Sequence, residues 1–146
     1  MIAYFDTSAL VKYYVEEDGS EVVRRAISEA IPSTSRLTEV EITSALARRY
    51  REGDLGESAR DAILSQVRDD LDAFNLVEVT ADVVSTARNL LVRRALRSND
   101  AIQLASCLVL QKQITSRVLF LAFDHRLTDA ARSEGLETSY GPASAP

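Results

Sequence analysis

The sequence predicts an α/β protein in which helices cover both faces of a short, mostly parallel sheet. Short apolar runs suited to buried strands alternate with longer helical segments along the chain, and that alternation is typical of parallel sheets. The chain has 146 residues, which is enough for one domain with a buried core. We expect that domain at residues 1–140, followed by a disordered tail at residues 141–146.

The first half of the chain is predicted to contain one strand and four helices. The run at residues 1–5 is apolar and stops at Asp6, which indicates a buried strand. Glycine and small polar residues then separate or cap the helical segments. The helices are expected at residues 8–17, 20–30, 37–52 and 56–74, with a break at residues 32–35 between the second and the third.

The second half is predicted to alternate between strands and helices. Residues 76–79 and 118–123 are short runs that suit strands. Thr80 and Ser98 are suitable caps for the helices that follow them. The helices are expected at residues 81–96, 99–114 and 127–134, and residues 136–140 are predicted to form a last short strand.

The composition excludes several classes of protein. No apolar run approaches the roughly 20 residues that a membrane-spanning helix needs, and the first residues lack the features of a signal peptide. Cys107 is the single cysteine, so no internal disulfide is possible. We therefore expect a cytoplasmic protein without a membrane partner.

The charge gives a mixed indication about nucleic acid. A net charge of −5 does not favour a polyanionic partner. All basic residues except Lys12 and Lys112 are arginine, which binds phosphate in a bidentate fork. A genome rich in arginine codons would explain that bias equally well, so the charge leaves the question open.

Two aspartates follow predicted strands. Asp6 comes directly after the first strand, and Asp124 comes directly after the strand at residues 118–123. The carboxyl ends of parallel strands share one edge of the sheet, where ligands bind in open α/β folds. Helix capping is an equally good explanation for either residue alone. Two such residues together indicate a shared acidic site.

Two further acidic residues lie on predicted helices. Asp100 is in the first turn of an apolar helix, where the helix dipole favours an anion, and it could point into the same cleft. Glu41 lies inside the third helix, where helical periodicity does not distinguish it from Glu39. Arg48 follows Glu41 on the same helical stripe and is a candidate phosphate contact.

Scattered carboxylates of this kind suit hard metal ions. Mg²⁺ and Mn²⁺ prefer oxygen ligands, and a pair of such ions can activate water and stabilise the leaving oxygen of a phosphodiester. The chain has one histidine and one cysteine, which excludes zinc catalysis by a cluster of these residues.

Four segments at residues 4–12, 41–46, 100–105 and 123–127 carry a resemblance to a known family. In this order and spacing the chain resembles the PIN-domain nucleases, in particular the VapC-like toxins of toxin–antitoxin pairs, from residue 2 to about residue 140. The resemblance implies a three-layer α/β/α fold and an acidic pocket that binds Mg²⁺ or Mn²⁺. It also implies endonucleolytic cleavage of RNA, a homodimer, and inhibition by a cognate antitoxin that covers the pocket.

The resemblance also assigns roles to residues. The catalytic and metal-binding residues that it implies are Asp6, Glu41, Asp100 and Asp124. It therefore selects Glu41 over Glu39. It implies that Thr7 or Ser8 supports the site by orienting Asp6 or a water molecule, and a nuclease would use Arg48 as an RNA contact. Gln103 stands where many relatives carry histidine.

Two alternatives stay open. One is a non-catalytic PIN-like module that only captures an antitoxin or another partner, although intact acids at all four positions argue against it. The other is an Asp-dependent phosphotransfer protein. A dehalogenase-like phosphatase needs a second acid two residues after the first, where Ser8 stands. A receiver domain needs a lysine at the end of a late strand, whereas Lys112 lies within a predicted helix.

Overall fold

A four-stranded parallel sheet forms the centre of the computed structural model, which describes residues 1–138. The strands are β1 (Ile2–Phe5), β2 (Ile31–Ser35), β3 (Asn75–Val77) and β4 (Val118–Leu121). The helices are α1 (Thr7–Tyr14), α2 (Ser20–Glu29), α3 (Leu37–Arg51), α4 (Glu57–Ala73), α5 (Ala81–Arg93), α6 (Ser98–Gln113) and α7 (His125–Ser133). Every predicted helix is present, and the ends differ from the predicted ends by a few residues.

Strand β1 lies in the interior of the sheet, whose strand order is β3-β2-β1-β4. All three pairings are parallel, and Ile2 of β1 stands opposite both Ile31 of β2 and Val118 of β4. The carboxyl ends of the strands therefore meet at one edge of the sheet. Residues that follow β1 and β4, among them Asp6 and Asp124, approach one another there.

Side chains of β1 alternate between two hydrophobic cores on opposite faces of the sheet. Tyr4 stacks on Phe120 of β4 with ring centroids 5.7 Å apart, in a core that also contains Leu104 of α6. Ala3 and Phe5 belong to the other core. Other buried members of that second core are Leu10, Val23, Ile42 and Leu71 from helices α1 to α4. The predicted α/β fold, with a short parallel sheet between two helical layers, is confirmed.

The predicted break at residues 32–35 is wrong, because these residues belong to β2. The strand is polar, yet the side chains of Ser33, Thr34 and Ser35 are fully buried. The Thr34 hydroxyl donates a hydrogen bond of 2.6 Å to the carbonyl of Phe5 and lies 2.7 Å from the Thr38 hydroxyl. These partners offset the cost of burying the Thr34 hydroxyl, whereas the buried Ser33 hydroxyl has no hydrogen-bond partner within the described residues. Without an apolar run, the strand had no signal in the sequence.

Strand β4 is shorter than predicted, because it ends at Leu121 instead of residue 123. After Leu121, side chains form hydrogen bonds with backbone groups of the chain, in place of a neighbouring strand. The Ala122 carbonyl accepts from the Thr128 hydroxyl at 3.3 Å, and the Phe123 amide donates to Ser8 Oγ at 3.1 Å. Asp124 therefore follows a short connection and caps α7 instead of following the strand directly.

The other differences concern the second half of the chain. Strand β3 occupies residues 75–77 in place of the predicted 76–79. The predicted strand at residues 136–140 is reduced, within the described residues, to one parallel bridge between Leu119 and Glu137. Residues 139–140 and the predicted tail at residues 141–146 lie outside the described residues. Through residue 138, no helix has the length and apolar character needed to cross a membrane.

Candidate active site

Asp6 is held in place by the helix that follows it. It comes directly after β1 and caps α1, accepting a hydrogen bond of 2.9 Å from the backbone amide of Ala9. The Ser8 hydroxyl lies 2.7 Å from one carboxylate oxygen of Asp6 and 3.0 Å from the other. Only 4% of the Asp6 surface is exposed. The central strand therefore presents a carboxylate of fixed orientation at the carboxyl edge of the sheet.

The surroundings of Asp6 disfavour its ionised form. Burial raises the pKa of Asp6, hydrogen bonds from Ser8 and the Ala9 amide lower it, and the negative charges of Asp100 and Glu41 raise it, with a net pKa of about 7. Like charges that act on one another in this way indicate a site that a cation would stabilise.

Glu41 faces the same edge of the sheet from α3. One of its carboxylate oxygens accepts hydrogen bonds from the Thr7 hydroxyl at 3.0 Å and the Gln103 amide at 2.7 Å. The other accepts from the Asn99 amide at 2.8 Å. Glu39 instead forms an ion pair with Arg36, away from these groups. The structure therefore separates the two glutamates that the sequence pattern left equivalent.

Asp100 and Asp124 share a cation from the chain itself. Asp100 lies in the first turn of α6, and Asp124 caps α7 by accepting from the Leu127 amide at 3.0 Å. Arg97 Nε is 3.2 Å from Asp100 Oδ2, and Arg97 Nη2 is 4.0 Å from Asp124 Oδ2. Burial raises the pKa of Asp100, Arg97 opposes that change, and Asp124 and Glu41 add to it.

A single open pocket of about 710 Å³ brings the predicted site residues together. Those residues are Asp6, Thr7, Ser8, Glu41, Arg48, Asp100 and Asp124. In the described conformation of residues 1–138, no three acidic, histidine or cysteine side chains converge closely enough to hold a metal ion. Asp100 is turned towards Arg97, and Glu41 is turned towards Asn99 and Gln103. The pocket thus brings the carboxylates together, but Asp100 and Glu41 form an ion pair or hydrogen bonds with neighbouring side chains of the protein.

Among the pocket residues that were not predicted as part of the site, Arg97, Asn99 and Gln103 contact its carboxylates directly. Gln103 is only 1% exposed and accepts a hydrogen bond of 2.7 Å from the Tyr4 hydroxyl, while its amide nitrogen also lies 3.0 Å from the Thr38 hydroxyl. An amide between Ile102 and Leu104 on an apolar helix was the available signal. A buried polar side chain needs hydrogen-bond partners, but the sequence alone does not identify the partners of Gln103.

One side of the pocket is basic and aromatic, and we call Lys12, Arg48, Arg49 and Phe123 the basic wall. Lys12 and Arg49 both pair with Glu17, at 3.3 Å and 2.9 Å. Arg48 is exposed, and its side chain makes no ion pair or hydrogen bond within residues 1–138. The pocket therefore has an acidic half and a basic wall, in which the guanidinium of Arg48 makes no ion pair with the described residues.

The Phe123 ring packs against Gly19, and this contact yields a stability prediction. Gly19 has a φ of +92°, and a Cβ there would lie 2.5 Å from Phe123 Cε1. We expect Gly19→Ala to lower the free energy of unfolding by about 2–3 kcal/mol, through backbone strain and loss of ring contacts. Urea denaturation measures the change.

Gly53 is the matched control for the Gly19 substitution. Its φ is +81°, and nothing lies within 4 Å of the position that its Cβ would occupy. We expect Gly53→Ala to lower the free energy of unfolding by about 1–2 kcal/mol, through backbone strain alone. Equal losses in the two variants would show that the ring contact contributes nothing.

Comparison with known proteins identifies relatives over almost the whole chain. Residues 3–133 match the PIN domain family. Ribonuclease VapC49 of Mycobacterium tuberculosis is 34% identical over 136 residues, which cover 92% of each chain. VapC20 of the same species, a toxin that cleaves the sarcin–ricin loop, superimposes with a TM-score of 0.63 at 25% identity, covering 88% of this chain and 94% of that one.

A third similarity concerns the fold alone. A chain from a toxin–antitoxin complex of Klebsiella pneumoniae superimposes with a TM-score of 0.59 at 17% identity, covering 84% of this chain and 86% of that one. The family match spans all four acidic residues and both helical layers. From this match and the 34% identity to a curated relative, we conclude that the chain belongs to the PIN domain family.

Proposed function

We propose that this protein is a metal-dependent endoribonuclease that acts in the cytoplasm as the toxin of a toxin–antitoxin pair. The observation that carries the proposal is the gathering of Asp6, Glu41, Asp100 and Asp124 in one pocket at the carboxyl edge of the sheet. The naming of its 34%-identical relative as a ribonuclease supports RNA as the substrate.

The donor set of the pocket fits Mg²⁺ or Mn²⁺. Its acidic half offers only oxygen ligands from the four carboxylates, which hard divalent ions prefer. The repulsion that Asp100 and Glu41 exert on ionised Asp6 would be relieved by a divalent cation. When bound, such an ion lowers the pKa of water and stabilises charge on the leaving oxygen of a phosphodiester. Asp6, Glu41, Asp100 and Asp124 would hold it.

The surrounding side chains orient these carboxylates. The Ser8 hydroxyl donates a hydrogen bond to Asp6 and accepts one from the Phe123 amide. The same hydroxyl therefore fixes both Asp6 and the connection after β4. Thr7 and Gln103 hold one oxygen of Glu41, and both therefore fix the direction in which that carboxylate faces. Donors of this kind limit the directions in which the carboxylates of Asp6 and Glu41 can face when an ion binds.

Arg97 occupies the place of a counter-ion, and this yields a prediction about metal affinity. Its guanidinium lies beside Asp100 and Asp124, so it competes with a divalent cation for the same carboxylates. We expect Arg97→Met to strengthen Mn²⁺ binding about 3- to 10-fold at low ionic strength. Isothermal titration calorimetry of the purified protein measures this without any RNA.

Arg117 provides the control for the Arg97 experiment. Its side chain is 79% exposed, against 73% for Arg97, and it pairs with Glu137 outside the pocket. We expect Arg117→Met to leave Mn²⁺ affinity unchanged. Unchanged or weaker Mn²⁺ binding by Arg97→Met would contradict the role of Arg97 as a competing cation.

An antitoxin and a second copy of this chain are the protein partners that we propose. The fold is shared with a chain solved in a toxin–antitoxin complex, which supports an antitoxin. Such a partner could inhibit the enzyme by covering the open pocket.

Cleavage and growth assays together test the proposed function. Purified protein is expected to cut single-stranded RNA when Mn²⁺ is added and to stop when excess EDTA is present. Expression is expected to arrest growth, and Asp100→Ala is expected to relieve the arrest because one carboxylate of the pocket is lost. A folded protein that cuts no RNA under any metal condition would favour the non-catalytic binding module. Arrest that persists in Asp100→Ala would contradict nuclease toxicity.

A further inference from the structure

We infer that Phe123 is a stacking platform for an unpaired base next to the scissile phosphate, and that the basic wall, to which Phe123 belongs, binds single-stranded RNA. This inference rests on the proposed function, since it assigns a substrate contact within the same pocket. It concerns a part of the pocket that the four carboxylates do not explain.

The exposure of Phe123 is the first observation. Its surface is 41% exposed, whereas Leu121, two residues earlier, is 5% exposed and belongs to the core. Phe123 lines the same pocket as Asp6 and directly precedes Asp124. The fold buries the Phe123 side chain only in part, and the ring stands beside the carboxylates that would act on a phosphodiester.

Rigid support of the ring is the second observation. The Phe123 amide donates to Ser8 Oγ at 3.1 Å, which fixes its backbone beside Asp6. The ring packs so closely on Gly19 that a Cβ at that position would lie 2.5 Å away. Lys12 Nζ stands 4.6 Å from the ring centroid. A ring held from three directions loses little freedom when a flat ligand stacks on it.

The charge of the neighbouring residues is the third observation. Lys12, Arg48 and Arg49 lie on the same wall as the ring, and the single charge of Glu17, which pairs with Lys12 and Arg49, offsets only one of the three positive charges. Cations that follow a backbone, together with an aromatic side chain that stacks on a base, are the features that bind single-stranded nucleic acid. Bases in a duplex are already stacked, so the platform selects unpaired RNA.

Binding without cleavage tests the inference. The probes are a fluorescein-labelled single-stranded RNA and an abasic oligonucleotide of the same length, with EDTA present so that the RNA stays intact. We expect Phe123→Ala to weaken RNA binding about 5- to 100-fold in fluorescence anisotropy, the range for losing one base–aromatic stack. Affinity for the abasic oligonucleotide is expected to stay unchanged, because its phosphates are bound by the cations.

Two further variants separate stacking from packing. Phe123→Leu keeps apolar bulk against Gly19 but has no π face, and it is expected to weaken RNA binding as Phe123→Ala does. Tyr50 is the matched control, since it is 39% exposed and has the Arg60 guanidinium 4.3 Å from its ring centroid, yet lies outside the pocket lining. Tyr50→Ala is expected to leave RNA affinity unchanged.

The outcomes distinguish this inference from the proposed function. Normal RNA binding by Phe123→Ala, in a preparation whose wild type cuts RNA with Mn²⁺, would overturn the platform and leave the nuclease intact. Equal weakening on RNA and on the abasic oligonucleotide would also overturn it, because the ring would then act only by positioning Lys12. A wild type that neither binds nor cuts RNA would instead overturn the proposed function.

Discussion

Asp6→Asn is expected to abolish RNA cleavage while leaving the protein folded. The substitution removes the buried charge at the end of β1 but keeps an oxygen that can accept from the Ala9 amide. Loss of a ligand that holds a catalytic ion removes several kcal/mol of transition-state stabilisation, so we expect a loss of about 10³-fold or more. The measurement is the single-turnover rate of RNA cleavage with saturating Mn²⁺.

The same substitution is expected to raise the stability of the metal-free protein. The pKa of Asp6 is raised from 3.8 to about 7, so the ionised carboxylate is unfavourable in the folded state. Its contribution to stability is complete below about pH 4 and is lost as the pH rises through 7. At pH 8 we therefore expect Asp6→Asn to be more stable than the wild type by about 2–4 kcal/mol.

Metal and control measurements complete the Asp6 test. Mn²⁺ should raise the melting temperature of the wild type and not of Asp6→Asn. Asp129 is the control, since its side chain is 71% exposed and pairs with Arg132 on α7. Asp129→Asn should change neither activity nor the response to Mn²⁺. Full cleavage by Asp6→Asn, with contaminating nucleases removed, would contradict the assignment of the site.

Gln103→Leu is expected to give the largest loss of stability. Leucine removes the acceptor of the Tyr4 hydroxyl and the donor to Thr38 and Glu41, in a position that is 1% exposed. Buried polar groups without partners cost about 1–3 kcal/mol each, so we expect a total loss of about 3–5 kcal/mol. Urea denaturation measures it. Mn²⁺ affinity should also fall about 10-fold, because Glu41 loses one of its orienting donors.

A double-mutant cycle tests whether Tyr4 and Gln103 act as one network. Tyr4→Phe alone removes the hydroxyl that Gln103 accepts from. Combined with Gln103→Leu it should cost less than the sum of the two, because the stranded hydroxyl is gone. Gln113 is exposed at the end of the same helix, and Gln113→Leu should change stability by less than about 0.5 kcal/mol. Additive losses in the cycle would contradict a shared network.

The parts of the fold that could be predicted are those with a local physical signal. Strand β1 is an uninterrupted apolar run that ends in an acid, and α5 begins at the Thr80 cap. Strand β2 could not be predicted, because it is polar and its buried Thr34 hydroxyl has its partners at Phe5 on β1 and Thr38 on α3. That compensation exists only in the folded chain.

The site shows the same limit. The placement of Asp6 after a strand predicts its position in the pocket, since the direction of a parallel sheet determines where it lies. The choice of Glu41 over Glu39 needed either the family resemblance or the contacts of α3. The position of Arg97 between Asp100 and Asp124 depends on how α6 and α7 lie relative to each other, which no local pattern contains.

The pairing of β1 with β4 has a consequence for the order of events during synthesis. Ile2 stands opposite Val118, and Asp6 and Asp124 line one pocket although most of the chain separates them. A ribosome must therefore translate and release the segment through α7 before the acidic cleft can close. Nascent chains that stop short of β4 lack Asp124, so the complete set of four carboxylates can form only after most of the chain has been made.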